Sequence, residues 1–406
     1  MDNVDKIFES VISKSLFKNK GVLQSKYTPN DILHREDQIT SIASILAPAL
    51  RGERVSNLFL YGNTGTGKTL SIMHLGEKLL NKSRETGEEG LKFVYVNCKL
   101  GKTAETEYRI LATLIKELGG NVPSTGLPTS DVYSRFVELI DNKKQIILVV
   151  LDEIDQAIDK MSNFIYSLTR LNAQLRNAQL SFIGISNNLT FMDNVDPRIK
   201  SSLAEEEVVF HPYNALQLQD ILKKRADEAF RDGVLEEGVV AKCAAYVARE
   251  NGDARRALDL LRVAGEIAER ESSKNISFKH IDDAKDKIER DKMLDIIEGE
   301  PKQFQAVLYS IMRLDENKKN AKNGEGCMYT GEVYNAYEDI CRNLKTEKLT
   351  QRRVSDILGE FDMLGIINAR EIISKGRYGR TREIRLMLPA NILGKVKEML
   401  EKSLEI

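Results

Sequence analysis

Between residues 58 and 210, short unbroken apolar runs alternate with stretches of helical periodicity. The runs at 58–61, 93–96, 146–151, 181–185 and 208–210 each predict a buried strand. Spacing at i, i+3 and i+4 predicts helices near 68–82, 105–118, 130–141 and 162–178. Strands that are apolar throughout and separated by helices predict a parallel sheet covered on both faces. Turns are expected at Thr86-Gly87 and Gly119-Gly120, and the loop at 123–128 leads into a helix capped at Thr129 or Ser130.

On either side of this stretch the pattern changes. Residues 1–26 read as an amphipathic helix, with Ile7, Phe8, Val11 and Ile12 apolar and Lys6, Lys14, Lys18 and Lys20 charged, expected to pack on the body. A turn at 27–31 follows, and His34-Arg35-Glu36 opens a helix through Leu46. Beyond residue 213 the strand runs stop: 218–230, 239–250, 255–270 and 281–297 are all helical, and Pro301 marks a boundary. The remainder reads as a helix, a loop rich in Asn, Lys and Gly at 315–330, two helices, and a hairpin with strands at 369–373 and 381–386. Three domains are therefore expected: an α/β base at 1–212, an all-helical domain at 213–298 and a C-terminal domain at 299–406.

Composition adds little until it is divided. The 406 residues, 42% hydrophobic and 30% charged, describe an ordinary globular chain, and its net charge of −1 carries no global signature of a polyanion binder. Residues 301–406, however, hold 19 Lys+Arg against 15 Asp+Glu, and residues 1–300 hold 41 against 46. A basic end on an acidic body permits nucleic-acid binding there. Cys98, Cys243, Cys327 and Cys341 have neither C-x-x-C nor zinc spacing, which predicts free thiols in a reducing compartment. The longest apolar run, 146–151, is far too short to span a bilayer, and no leader is visible, so a cytoplasmic protein is expected.

The chemistry concentrates after the first strand. Gly62-Asn63-Thr64-Gly65-Thr66-Gly67-Lys68-Thr69-Leu70 contains G-x-x-x-x-G-K-[ST] in strand-to-helix context. The glycines let backbone amides turn inward around phosphate oxygens, and the helix N-terminus adds partial positive charge. Lys68 is expected to reach the β- and γ-phosphates and the Thr69 hydroxyl to ligate Mg²⁺. The apolar run 147–151 ends in Asp152-Glu153, an acid at the end of a neighbouring strand that would hold Mg²⁺, followed by a carboxylate to orient or deprotonate water. The run 181–185 ends in Ser186-Asn187-Asn188, where Asn187 either bridges water and γ-phosphate or caps a turn. Gly252-Asp253-Ala254-Arg255-Arg256 opens a helix from which Arg255 could fold onto phosphates.

Together these residues resemble the AAA+ ATPases: Walker A at 62–69, Walker B at 150–153, sensor 1 at Asn187 and sensor 2 at Arg255. The resemblance implies a P-loop parallel-sheet domain with an all-α lid, ATP or ADP with Mg²⁺ in the cleft, and catalytic roles for Asp152, Glu153, Asn187 and Arg255. Further text is similar to archaeal replication initiators of the origin recognition complex and cell-division-control type. It comprises residues 27–29 and 33–39, Asp152-Glu153-Ile154-Asp155, 184–187, 196–203, 252–262 and, in a C-terminal winged helix, 349–358. That likeness covers roughly 15–400 and implies an ATPase with slow, switch-like hydrolysis. It also implies binding of double-stranded origin DNA, recruitment of the replicative MCM helicase, and work beside paralogous initiators on the chromosome, without a membrane. By position, Tyr27, His34 and Arg35 would frame the adenine side, an insert at 101–135 would touch DNA, and Arg198 would stand as an arginine finger. The chain departs from clamp-loader-like relatives in having Ser201-Ser202 where they carry Ser-Arg, and it has Asn188 where relatives often carry Asp.

The C-terminal end can be read on its own physics. A helix from Thr350 to about Leu364 offers Gln351, Arg352, Arg353 and Ser355 near its N-terminus, with Val354, Ile357, Leu358 and Phe361 on a packing face. Arg to guanine and Gln to adenine are favoured major-groove pairings. The hairpin gathers Lys375, Gly376, Arg377, Tyr378, Gly379 and Arg380 at its tip, with Arg382 and Arg385 beside them. Such a wing suits phosphate or minor-groove contact, and a solvated basic turn is the plainer alternative. Two other functions stay open at this point: a regulatory signalling ATPase whose winged helix binds a promoter or protein, and a clamp-loader subunit.

Overall fold

A computed structural model describes residues 15–406 apart from 25, 26, 30, 88–89, 100–106, 124, 157–163, 165, 169, 192–196, 198–199, 201–205, 321–326 and 373–380, and apart from the side chains of 320, 372, 390 and 391. The chain divides into two compact units, Met1–Ala284 and Lys285–Ile406.

The first unit opens, after residues 15–35, with α1 (Glu36–Leu46), then β1 (Leu58–Tyr61), α2 (Lys68–Glu85), β2 (Leu91–Asn97), α3 (Glu107–Glu117), α4 (Thr129–Ile140), β3 (Gln145–Asp152), β4 (Ala178–Ser186) and β5 (Glu206–Val209). All five strands are parallel, in the order β2-β3-β4-β1-β5. Every residue of β3 is buried, as expected for an interior strand of a sheet covered on both sides. Successive side chains serve opposite faces. Ile147, Val149 and Leu151 join Leu114 and Phe136 in one core, while Ile146, Leu148 and Val150 join Ile42, Leu46 and Ile72 in another. Gly184 of β4 leaves room for the Phe59 ring; a Cβ there would lie 2.3 Å from it. The acid-bearing β3 is not next to β1, as the sequence suggested. β4 lies between them, yet the parallel arrangement brings all three C-terminal ends to one edge.

Four helices complete the ordering: α5 (Ala215–Ala229), α6 (Val239–Glu250), α7 (Ala254–Arg270) and α8 (Phe278–Gly299), within which the division between units falls. Three expectations here need correction. Of the helix expected at 1–26, residues 1–14 lie outside the described residues, and 15–24 contain only a 3-10 turn, Lys20–Leu23. Phe17 instead pairs with Phe230, their rings 4.7 Å apart, and the Lys18 amide donates to Ala229 O at 2.7 Å. Tertiary pairing overrides local periodicity there. The helix expected through 178 ends in a 3-10 turn, Leu171–Ala173, because the Asp141 carboxylate accepts the amides of Arg176, Asn177 and Ala178 at 2.6–3.0 Å and starts β4. Neither Thr129 nor Ser130 caps α4: its N-cap is Pro128, without a side-chain bond.

The second unit is built from α9 (Lys302–Asn320), β6 (Met328–Tyr329), α10 (Thr330–Leu344), α11 (Gln351–Met363), β7 (Ile367–Ile372), β8 (Thr381–Leu386) and α12 (Ala390–Leu404). Its three-stranded antiparallel sheet has the order β6-β8-β7. Val307, Ile311, Tyr337, Val354, Leu358, Phe361, Val396 and Leu400 form one core. Residues 315–320 of the expected loop belong instead to α9, which runs to Asn320, and α12 and β6 were not anticipated. Among the described residues, no helix is long and apolar enough to cross a membrane.

Candidate phosphate-binding site and candidate nucleic-acid interface

From Tyr61 the chain passes through the glycine loop into α2, placing the loop amides at a helix N-terminus. Gly65 has φ 68°, a left-handed conformation, and a Cβ there would stand 1.7 Å from Asp253 Oδ1. Glycine is required on both counts. Asp253 caps α7, accepting the amides of Arg255 and Arg256 at 2.8 and 3.2 Å, and its Oδ2 accepts the Thr64 hydroxyl at 3.2 Å. The Ala254 amide also donates to Gly65 O at 3.2 Å. The start of α7 is therefore latched directly onto the phosphate loop. Asp253 has no role in the sequence motif, although an Asp just before a helical run is itself an N-cap signal.

Lys68 is buried, and its ammonium donates to Gly62 O, Asn63 O and Asn187 Oδ1 at 2.7, 2.8 and 2.9 Å. Burial pushes its pKa down to about 8, against the attraction of Asp152 and with the charge of Arg255 acting in the same direction as burial. The Asn187 side chain thus faces Lys68. The local turn is closed by Asn188, whose Oδ1 accepts from the Thr190 amide at 2.9 Å. The Thr66 hydroxyl donates back to Asn63 O at 2.9 Å, tightening the loop.

Thr69 Oγ1 donates to Asp152 Oδ2 at 2.8 Å, and the Tyr95 hydroxyl donates to the same oxygen at 2.7 Å. Asp152 Oδ1 accepts the Glu153 amide at 2.9 Å, so the buried carboxylate is held from three sides. Tyr95 could be found only through the sheet register, which sets it beside Val150 of β3. A hydroxyl and a carboxylate this close are hard oxygen donors suited to Mg²⁺. No group of three or more His, Cys, Asp or Glu able to hold a metal occurs among the described residues. That sparse donor set fits a cation which keeps water and phosphate as its other ligands. Glu153 has φ 53°, unusual for a residue with a Cβ, and its carboxylate lies 3.4 Å from Lys99 Nζ.

Beside the loop lies a cavity of about 240 Å³ whose lining includes Gly67, Thr69, Leu70, Tyr27 and Arg255. Arg255 is exposed on α7, whereas Arg256 pairs with Glu250 at 2.7 Å. Tyr27 donates its hydroxyl to Glu228 at 2.9 Å. His34 and Arg35 do not line this cavity. The His34 ring nitrogen is 3.0 Å from Asp220 Oδ2. Arg35 is buried over the Tyr213 ring at 3.7 Å and donates to Thr66 O, His34 O and His211 O at 2.8, 2.9 and 2.6 Å. It braces the loop from behind. Arg198 lies outside the described residues, as does part of the 101–135 insert.

In the second unit, the Thr350 hydroxyl caps α11 by accepting from the Arg353 amide. Val354, Ile357, Leu358 and Phe361 are buried, which turns Gln351, Arg352 and Arg353 to solvent. Arg353 makes only loose pairs with Asp356 and Glu360, at 3.9 and 4.0 Å. Ser355 is half-buried, and its carbonyl accepts from Arg382 Nη1 at 3.1 Å. Arg382 and Arg385, grouped with the wing by sequence, are engaged inside the unit: Arg382 ties β8 to α11, and Arg385 pairs with Glu383 at 2.8 Å. The tip residues Lys375, Gly376, Arg377, Tyr378, Gly379 and Arg380 lie outside the described residues.

Comparison with known proteins matches three segments of the chain to family models. Residues 52–192 match the AAA domain family, 219–286 the Cdc6 AAA+ ATPase-type lid domain and 295–396 the CDC6 C-terminal winged helix domain. The chain is 50% identical over 390 residues to an ORC1-type DNA replication protein of Pyrococcus abyssi, covering 95% of this chain and 90% of that protein. It is 48% identical over 395 residues to ORC1-type DNA replication protein 1 of Methanosarcina mazei, with 97% and 93% covered. Among solved structures, the ORC1 protein of Aeropyrum pernix in complex with DNA is 42% identical, with a TM-score of 0.79 over 95% of this chain and 97% of that one.

Proposed function

Since the chain belongs to the ORC1-type DNA replication proteins, we propose that it is an ATP-dependent initiator that binds origin duplex DNA and helps recruit the replicative MCM helicase. In this reading the base (1–212) and lid (213–298) hold ATP, and the winged helix (299–406) holds DNA. The observation that carries it is the exposed N-terminus of α11, where Gln351 and Arg352 stand free of the packed face, in a chain 42% identical to an ORC1 protein solved on DNA.

On the ATPase side, Lys68 and the loop amides would bind the phosphates. Thr69 and Asp152 would hold Mg²⁺, which when bound would neutralise charge on the phosphate oxygens. Tyr95 fixes the Asp152 carboxylate in place. Glu153 would accept a proton from the attacking water, with Asn187 positioning that water and Arg255 answering to the γ-phosphate from α7. The latch of Asp253 on Thr64 offers a route by which occupancy of the loop reaches the lid. ATP then serves mainly as a conformational switch with slow hydrolysis. The protein would act on the chromosome in the cytoplasm beside paralogous initiators, with Arg198 as the residue to examine for contact between neighbours.

The DNA half is tested by fluorescence anisotropy with origin-flanking and scrambled duplexes at two salt concentrations. Arg352→Ala is expected to weaken origin binding roughly 10- to 100-fold, the worth of one good base contact, while barely affecting scrambled duplex. Arg380→Ala is expected to weaken both equally and to make the salt slope shallower, as loss of a phosphate contact does. Equal loss on both duplexes with Arg352→Ala would remove α11 from base recognition.

A further inference from the structure

The cavity beside the phosphate loop contains a cation with no task so far. Arg225 on α5 lines it, is only 7% exposed, and has an Nη1 with no hydrogen-bond partner among the described residues. Its guanidinium lies over the Tyr27 ring at 4.4 Å, and Tyr27 is in turn bonded to Glu228. A buried donor left without an acceptor is destabilising, so such groups usually mark a place that something else completes. Nearby cavity walls are apolar, from Ile32, Leu33, Met73, Ile221 and Leu258. Phosphate contacts are already supplied by Lys68, the loop amides and Arg255. Left for Arg225 is a flat, uncharged group with acceptors in its own plane.

Resting on the nucleotide reading above, we propose that Arg225 selects the purine base of the bound nucleotide. The contact with Tyr27 holds the guanidinium in place, so Nη1 can donate to an acceptor on the base edge. The Glu228 carboxylate, which also lines the cavity, supplies an acceptor close by. A donor beside an acceptor complements N1 and the N6 amine of adenine, or O6 and N1–H of guanine. A pyrimidine, one ring shorter, does not reach the pair. Base recognition thereby comes from the helical lid and from the segment before α1, outside the phosphate loop.

The test is calorimetric titration of the full-length protein with ATP, GTP and CTP in the presence of Mg²⁺. The wild type is expected to bind ATP or GTP at least roughly tenfold tighter than CTP. Arg225→Met keeps an unbranched apolar side chain in the buried position and is expected to erase most of that preference: the purine Kd rises about tenfold and the CTP Kd stays put. Its melting temperature without nucleotide should equal or exceed that of the wild type, because an orphan buried donor has gone. Arg225→Lys, which retains charge without the planar fork, should also lose preference, and it decides the matter if the Met variant does not fold. The ATP-to-GTP ratio identifies which purine edge is read. Equal weakening of ATP and CTP by either variant, an unchanged preference, or a wild type indifferent to the base overturns the proposal. A wild type that binds no nucleotide refutes the nucleotide site itself, a separate result.

Discussion

Lys68→Ala is expected to weaken ATP binding about a hundredfold or more, since at least two charge-assisted bonds to phosphate, each on the order of 1.5–3 kcal/mol, go with it. Equilibrium binding of ATP in the presence of Mg²⁺ measures this. The variant also leaves Gly62 O, Asn63 O and Asn187 Oδ1 without their shared donor. A modest drop in melting temperature should therefore accompany the loss, and a far-ultraviolet spectrum like that of the wild type separates it from unfolding. The same residue gives binding a pH signature. Phosphate binding needs the ammonium charged, and burial sets its pKa at about 8, so ATP affinity should fall as pH rises through that value. Stability of the free protein moves the other way. The folded pKa lies below the ordinary 10.5, so the unfolded chain binds more protons between about 8 and 10.5, and this residue's contribution to stability grows across that window. Full ATP affinity in Lys68→Ala would displace phosphate binding from this loop.

Glu153→Gln should leave ATP affinity within about twofold and slow single-turnover hydrolysis roughly 10²- to 10⁴-fold, the range of a lost general base. Gln matches Glu in size, so the left-handed backbone at φ 53° is not asked to accept a different shape. Its partner Lys99 has a mostly exposed side chain (67%), so breaking that contact costs little stability. Binding of origin duplex should survive, because the switch reads bound ATP rather than its turnover. A hydrolysis rate equal to that of the wild type would move the base role to another residue, with Asp155 the next carboxylate along the chain.

How far the sequence could be read depended on whether a feature was local. The interior strands β1, β3 and β4 were legible because buried parallel strands are written as unbroken apolar runs, the edge strands β2 and β5 keep only short runs, and the phosphate loop was legible because its spacing is short and its residue types are chemically constrained. The segment around Phe17 was not, since pairing with Phe230 lies more than two hundred positions away and lysines at helical spacing suggest a helix whether or not one forms. The end of the helix near Leu171 was likewise set by Asp141, a residue from the preceding helix's end. The final helix, α12, did carry a legible i, i+4 series in Ile392, Val396, Leu400 and Leu404, all buried. Within the site, Lys68, Thr69, Asp152 and Asn187 came from motif and strand ends. Tyr95 and Arg225 came only from contacts between strands or between base and lid, which no spacing along one element encodes, whereas the N-cap signal of Asp253 is local and only its bond to Thr64 is not. Arg35 shows the reverse: a residue assigned by family likeness to the adenine side spends its donors on three backbone carbonyls.

An initiator that chooses origin DNA must, as the wild-type protein, discriminate between duplexes. The measurement is its Kd for origin-flanking duplex against scrambled duplex of the same length, with ATP and Mg²⁺ at physiological salt. A preference of roughly 10³-fold or more for origin sequence is expected, the lower end for specific DNA-binding proteins. Equal affinities for the two duplexes would contradict it and leave the winged helix as a docking module for another kind of partner.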